Sequence, residues 1–244
     1  MLKKINIFMV SASAIISLIL SSPVVAEKVA EDFQTWGNIT ATGNFSAINP
    51  NLKNLKYWVE GQGRFGDDSS RFSQSLIRPG IGYAVNDKTS VWVGYAWVPT
   101  SRPFAAKSPF NEHRIWQQLL WSDSYSFGKV TSRTRFEQRF FDIPGSTDVA
   151  YRYRQMLKLS VPMPFISPNV SFVVFDEIFV NLNNIDTGIK TGFNQNRAFA
   201  GIGYKFNQYT TGEIGYMNQY FNRPQNPRPD QMQHILSVNL FFNF

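Results

Sequence analysis

From about residue 36 to the last residue, apolar and polar side chains alternate with a period of two almost without interruption, as strands facing two different media require. The final segment is the plainest case. Leu236, Val238, Leu240, Phe242 and Phe244 share one face, while Ser237, Asn239 and Asn243 take the other. Ala198, Ala200, Ile202, Tyr204 and Phe206 alternate in the same way with Arg197, Gly201, Gly203 and Lys205, and Ile214, Tyr216 and Tyr220 with Glu213, Gly215 and Gln219. The Asn207-Gln208 link between these two runs predicts a tight hairpin. Helical stripes are absent from the pattern.

In the middle of the chain the polar face changes character. Thr131, Arg133, Arg135, Glu137 and Arg139 lie opposite Val130, Thr134, Phe136 and Phe140, and Arg152, Arg154 and Lys158 oppose Tyr151, Tyr153, Leu157, Leu159 and Val161. A face that meets bulk water favours short mixed polar residues, whereas one this dense in Arg with interleaved Glu implies a confined aqueous interior. A polar inside and an apolar, aromatic outside, in roughly ten-residue units separated by turns, is the pattern of a transmembrane β-barrel. Lipid cannot satisfy free backbone groups, and closure removes sheet edges. The predicted fold class is therefore all-β, an antiparallel transmembrane β-barrel.

Six further runs read as strands: Trp36 to Phe45, Tyr57 to Phe65, Leu76 to Val85, Val91 to Val98, Glu112 to Ser122 and Val170 to Val180. With the five above they make eleven candidates. Bacterial single-chain barrels have even strand numbers, short periplasmic turns and long outer loops. Short links fall at Asn207-Gln208, Val161 to Pro168, Asp123 to Gly128 and Asn86 to Lys88. Long polar or Pro-rich links fall at Asn222 to Asp230, Leu182 to Gln195, Asp142 to Ala150, Pro99 to Phe110 and Gly66 to Ser75. The expectation is a barrel of 10 or 12 strands. Either ten run from Tyr57 onward and the Trp36 segment is a lumenal or periplasmic element, or a twelfth strand is hidden.

The first residues do not belong to this pattern. Lys3 and Lys4 precede a mostly apolar stretch from Ile7 to Leu20, and Val24-Val25-Ala26 supplies small residues before Glu27, which reads as a signal peptide over residues 1–26, cleaved after Ala26. The barrel domain is then residues 27–244. Removing two of the 24 basic side chains leaves 22 against 17 acidic ones, a net charge of +5. Export argues against nucleic acid as the partner of that charge. With 17% charged and 16% aromatic residues, the chain is far poorer in charge than the roughly 25% of ordinary soluble domains, and it is not disordered. The lack of Cys excludes disulfides, thiolate metal sites, iron–sulfur clusters and a Cys nucleophile. A mean hydropathy of -0.23, with no long apolar run after the leader, argues against transmembrane helices and leaves a barrel open.

The chain resembles a family of exported bacterial proteins of unknown function, DUF2490, which are outer-membrane β-barrels. The residues that carry the resemblance begin with Asp32-Phe33-Gln34-Thr35-Trp36, Ile77-Arg78-Pro79-Gly80-Ile81-Gly82-Tyr83, Gly94-Tyr95, and Glu112 with Arg114, Trp116 and Gln117-Gln118. They continue through Arg133, Arg135, Phe136-Glu137-Gln138-Arg139, Arg152-Tyr153-Arg154, Glu177-Ile178-Phe179, Asn194-Gln195-Asn196-Arg197 and Gly215-Tyr216-Met217-Asn218-Gln219. Membership implies location in the outer membrane and a barrel fold, without an activity. Leu240, Phe242 and the terminal Phe244 also look like the C-terminal signal by which the barrel-assembly machinery recognises its clients.

The inward face assigned by alternation holds Arg64, Arg78, Arg114, Arg133, Arg135, Arg139, Arg152, Arg154, Arg197, Lys158 and Lys205 against Glu60, Glu112, Glu137, Glu177 and Glu213. Interlocking Arg–Glu pairs would fill a narrow interior, since small barrels leave little more than room for side chains. Unpaired Arg would instead line a route or site for anions. The protein is thus expected to be a structural barrel or a narrow, anion-preferring channel, with outer-membrane lipid and lipopolysaccharide as its surroundings. An outer-membrane lipid-modifying hydrolase is the alternative, because some barrels use a Ser–His pair. His113 and His234 are the two His; Ile115 and Leu236, not Ser, lie two residues beyond them, so Ser108 or Ser124 would have to serve. Neither reading involves a cofactor.

Weaker signals complete the inventory. Arg102, Lys107, Arg223 and Arg228 in the outer loops suit lipopolysaccharide phosphates as well as plain solvation. Asp67-Asp68 falls short of a calcium site, so no metal is expected. Trp97, Trp121 and Trp58 are assigned to aromatic belts. Asp176 beside Glu177 conflicts with alternation, and with Glu177 inside, Asp176 is expected at a bulge or a boundary. The sequence sets no oligomeric state.

Overall fold

The computed structural model describes residues 29–105, 107–223 and 229–244; the expected signal peptide lies outside them. Eleven strands follow one another: β1 (Ala30–Asn44), β2 (Leu55–Gly66), β3 (Arg71–Ala84), β4 (Thr89–Thr100), β5 (Phe110–Tyr125), β6 (Gly128–Phe141), β7 (Ala150–Pro162), β8 (Val170–Asn181), β9 (Gly192–Lys205), β10 (Thr210–Phe221) and β11 (Gln231–Asn243). Each pairs antiparallel with its sequence neighbour, and β1 pairs with β11 to close a single barrel.

The strand count corrects the expected 10 or 12. The Trp36 segment is a full strand, hydrogen-bonded antiparallel to β2 and parallel to β11 from Ala30↔Gln231 to Thr42↔Asn243. An even number follows only if the closing pair must be antiparallel. A parallel ladder is slightly weaker per residue, yet it satisfies the backbone of both terminal strands, and an open edge would not. In consequence the strands begin at one rim, with Ala30, and end at the other, with Asn243.

That first rim carries the links 67–70, 101–109, 142–149, 182–191 and 222–230; the opposite rim carries 45–54, 85–88, 126–127, 163–169 and 206–209. The expected loop from Gly66 to Ser75 shrinks to a turn in which Asp67, Asp68 and Ser69 all adopt positive φ, because Arg71 onward is already strand. Asp68 N–H donates to Asp32 Oδ1 at 3.1 Å, which supports that turn. At the other rim Gly128 has φ +148, and a Cβ there would meet the Ser160 carbonyl oxygen at 2.4 Å, so the tight β5–β6 turn needs glycine.

Apolar packing inside the barrel is split. One cluster gathers Trp36, Val173, Phe199, Met217 and Ile235; the other gathers Leu76, Trp92, Ala96, Val98 and Trp116. Trp116 is seated on Gly80 and Gly94, where an added Cβ would lie 2.5 and 2.4 Å from its ring. Trp97 faces outward as expected and is 40% exposed. Trp58 does not: it points inward, packs edge-on against Trp92 and donates to Glu60 at 3.0 Å, because its alternation partner is Glu60.

Candidate functional site: an arginine-rich interior belt

The two apolar clusters leave between them a belt of paired and unpaired charge. Glu137 on β6 is fully buried and accepts from Arg152 Nε at 2.9 Å and Arg154 Nη1 at 2.7 Å on β7. Glu177 on β8 accepts from Arg133 Nη2 at 2.8 Å and from Arg154 Nε and Nη2 at 3.0 and 2.8 Å, with Arg197 Nη1 at 3.9 Å. Arg154 therefore ties two carboxylates on different strands. Glu112 takes both Arg114 Nε and Nη2, at 2.7 and 2.8 Å, and Arg139 Nε at 2.5 Å. Arg78 donates to Glu60 at 2.8 Å, and Lys158 on β7 reaches Glu213 on β10 at 2.5 Å.

Two of the belt's arginines lack a carboxylate partner among the described residues. Arg135, wholly buried, is held by Gln118 Oε1 at 2.9 and 2.5 Å and lies 4.9 Å over Trp116. Arg64 uses Gln62 and Gln74, both at 2.6 Å, and stacks 3.9 Å over Trp36. Arg197 donates to Gln219, and Phe179 lies under the guanidinium groups of Arg152, Arg154 and Arg197 at 5.3, 4.4 and 4.7 Å. Amide oxygens and ring faces are what stabilise cations when carboxylates run short. The shortage is real: nine Arg and Lys158 face five Glu here. Of the six buried side-chain polar atoms without a hydrogen-bond partner in the described residues, five are nitrogen donors, on Arg64, Arg78, Gln118, Arg133 and Arg135.

A cavity of about 1250 Å³ occupies the interior and is lined from both rims, by Asp32 and Phe104 at one end and by Lys88 and Asn243 at the other, with Arg133, Arg139 and Arg197 between. At the second rim Lys88 donates to Asp123 at 2.8 Å, and that hydrogen bond raises its pKa above the usual lysine range.

The structure thus brings together the inward set that alternation assigned: Arg64, Arg78, Arg114, Arg133, Arg135, Glu137, Arg139, Arg152, Arg154, Lys158, Glu177, Arg197 and Glu213 all line this interior or make its contacts. Lys205, assigned with them, also lines the cavity, at its rim, where it is exposed. Of the belt's neutral members, Gln219 shares the polar face of its strand with Glu213 in the sequence pattern, while Gln62, Gln74, Gln118 and Phe179 have no assigned face there; each stands an even number of residues from an inward Arg or Glu on its own strand, which is the signal that finds them. Asp176 lies neither at a bulge nor at a boundary. It is exposed on the outer face in mid-strand, the β8 irregularity falls at Phe179/Val180, and its partner is the Asn196 amide at 2.9 and 3.0 Å.

Both His face outward. The Tyr95 hydroxyl meets His113 Nδ1, and Asp142 Oδ2 lies 3.1 Å from His113 Nε2; Tyr216 OH lies 2.6 Å from His234 Nδ1. Ser124 is at the far end of β5 from His113, eleven strand residues away, and so cannot serve it. Arg102 donates to the Lys107 carbonyl at 3.1 Å and Arg223 to Gln231, whereas Arg228 lies outside the described residues. Asp67 is 3.7 Å from Arg71, and no group of three or more His, Asp or Glu side chains suited to a metal occurs among the described residues. Leu240 and Phe242 continue the outward series on β11, and Phe244 follows it, its N–H donating to Thr42 O at 2.9 Å and its ring stacked against Tyr209.

The model of a family described as a protein of unknown function, DUF2490, matches residues 33–232. An uncharacterized protein of Methylorubrum extorquens is 34% identical over 232 residues, covering 95% of this chain and 96% of the relative. No solved structure matches the chain.

Proposed function

The chain belongs to the DUF2490 family, and since that kinship carries no activity, we propose from the geometry that it is an outer-membrane barrel enclosing a narrow, anion-preferring pore. Support for the membrane comes from the outer face. Ile39, Val59, Ile77, Ile81, Val93, Leu119, Leu157, Ile202, Ile214, Leu236 and Val238 are each at least 39% exposed there. At roughly 1.5–3 kcal/mol for burying a fully exposed side chain, these half-exposed ones in a barrel in solution would forgo on the order of 10 kcal/mol that hydrocarbon supplies. Exposed aromatics bracket this zone: Phe33, Phe65, Phe72, Trp97, Phe140, Tyr151 and Phe193 towards the rim with the longer links, Tyr83, Phe172, Tyr204 and Phe244 towards the other. Two such girdles are what bilayer interfaces select. Residues 1–26 would then be removed on export, and Leu240, Phe242 and Phe244 would serve the barrel-assembly machinery.

The observation that carries the pore reading is the belt itself, ten cations against five carboxylates around a cavity lined from both rims. A ring of surplus guanidinium groups lowers the barrier to anions and raises it to cations. Purified protein in planar bilayers under a salt gradient tests this. A reversal potential of the anionic sign is expected; the absence of any conductance step would leave a structural barrel.

The hydrolase alternative has less to stand on. The ring nitrogens of His113 and His234 are engaged by Tyr95, Asp142 and Tyr216, contacts that suit side chains anchored near headgroups, and we take the protein to be non-enzymatic.

A further inference from the structure

The outer face is apolar at mid-strand on most strands, but polar side chains interrupt it from β5, with Gln117, through β6 and β7 to β8. Thr134 on β6 and Asp176 on β8 each stand six residues from the short-link end of their strands, which start at Gly128 and Val170, and Gln155 lies between them at the middle of β7. The Thr134 hydroxyl donates to Gln155 Oε1 at 2.6 Å, Tyr153 OH donates to the same oxygen at 3.1 Å, and Gln155 Nε2 donates to Ser132 Oγ at 2.9 Å. Asp176, exposed, has the Asn196 amide. On the opposite side of the barrel the corresponding positions are Val59, Ile39 and Val238.

Lipid is a poor neighbour for this patch. A carboxylate accepts several hydrogen bonds and Asp176 has one amide, while hydrocarbon offers none, so a charged group at that depth is destabilising. Resting on the outer-membrane reading, we propose that this face is where two copies of the chain meet, related by a two-fold axis running alongside β7 and parallel to the barrel axis.

The chemistry of the patch selects a second copy. A two-fold axis beside β7 sets β8 of one copy against β6 of the other at equal depth. The acceptor-only Asp176 then faces the Ser132 hydroxyl of its mate, which accepts from Gln155 within its own chain and keeps its proton to donate, and not another Asp176. Gln155, nearest the axis, faces its own equivalent; its amide is satisfied within the chain by Thr134, Tyr153, Ser132 and the Met156 carbonyl, so the two amides meet with no polar atom left unmet. Polar side chains of this kind hold membrane segments together because their alternative is an unsatisfied group in lipid.

The chain has no Cys, which makes single-cysteine variants clean reporters. Gln155→Cys and, as the control on the apolar side, Val59→Cys are expressed in a Gram-negative host, fractionated, checked for heat-modifiable mobility and oxidised in isolated outer membranes. Gln155→Cys should run mostly as a disulfide-linked dimer and Val59→Cys as a monomer. The native mass of detergent-solubilised wild type, which needs no substitution, should equal two chains. A native mass of one chain, a complex with a different protein, or equal cross-linking at both positions overturns the proposal while leaving the membrane reading intact. Recovery of wild type in the soluble fraction overturns the membrane reading, and this inference with it.

Discussion

Lys158 on β7 and Glu213 on β10 meet at 2.5 Å inside the barrel, passing over the two strands between them. A brace of that span ties parts of the wall that no backbone ladder connects. Lys158→Met and Glu213→Gln should each lower the urea midpoint, and the double variant should lose less than the two single losses together. A coupling of about 1–3 kcal/mol is expected; strict additivity would show that the two groups do not act on each other.

Glu137 should matter more than any one arginine around it. Glu137→Gln strips the partner from buried Arg152 and one of two from Arg154, and the loss of one member of a buried ion pair costs about 3–5 kcal/mol. Arg133→Gln leaves Glu177 still bound by Arg154, so its cost should be well under half of that. If the belt conducts, Glu137→Gln should also raise anion selectivity in reversal-potential measurements, and Arg133→Gln should lower it.

Two glycines separate packing from backbone effects. Gly94→Ala would push a methyl to within 2.4 Å of Trp116 and 2.3 Å of the Pro79 carbonyl, an overpacking expected to cost about 1–3 kcal/mol in urea unfolding. At Gly61 an added Cβ meets nothing within 4 Å, so Gly61→Ala should be neutral or stabilise by roughly 0.5–1 kcal/mol. Similar losses at both sites would contradict the seat assigned to Trp116.

Deleting Phe244 removes the N–H that binds Thr42 and the ring that stacks on Tyr209, at the point where β11 meets β1. The folded, heat-modifiable fraction in outer membranes should fall. Wild-type yield after the deletion would dismiss a role in assembly.

For the two His, the expected outcome is a negative with a defined positive control. Neither wild type nor His113→Ala or His234→Ala should release fatty acid from phospholipid or lipopolysaccharide in detergent, alongside a known outer-membrane phospholipase. Acyl release that disappears in either variant would make the enzyme reading the right one.

Period-two alternation was enough to specify the all-β class, the inward direction of Arg133, Arg135, Glu137 and Arg139, and the outward direction of Ile214 and Leu236, because side-chain direction in a strand depends only on residue parity. It also marked the Trp36 run as strand-like. What it could not supply was pairing across the closure: the parallel Trp36↔Ser237 register depends on where two segments some 200 residues apart come together, and no local pattern encodes that. Partner choice within the belt has the same origin. Alternation puts Arg135 and Arg154 on the same face in the same way, yet Arg154 reaches two carboxylates and Arg135 a single glutamine, since strand stagger and side-chain length in the closed barrel decide which carboxylate lies within about 3 Å of which guanidinium.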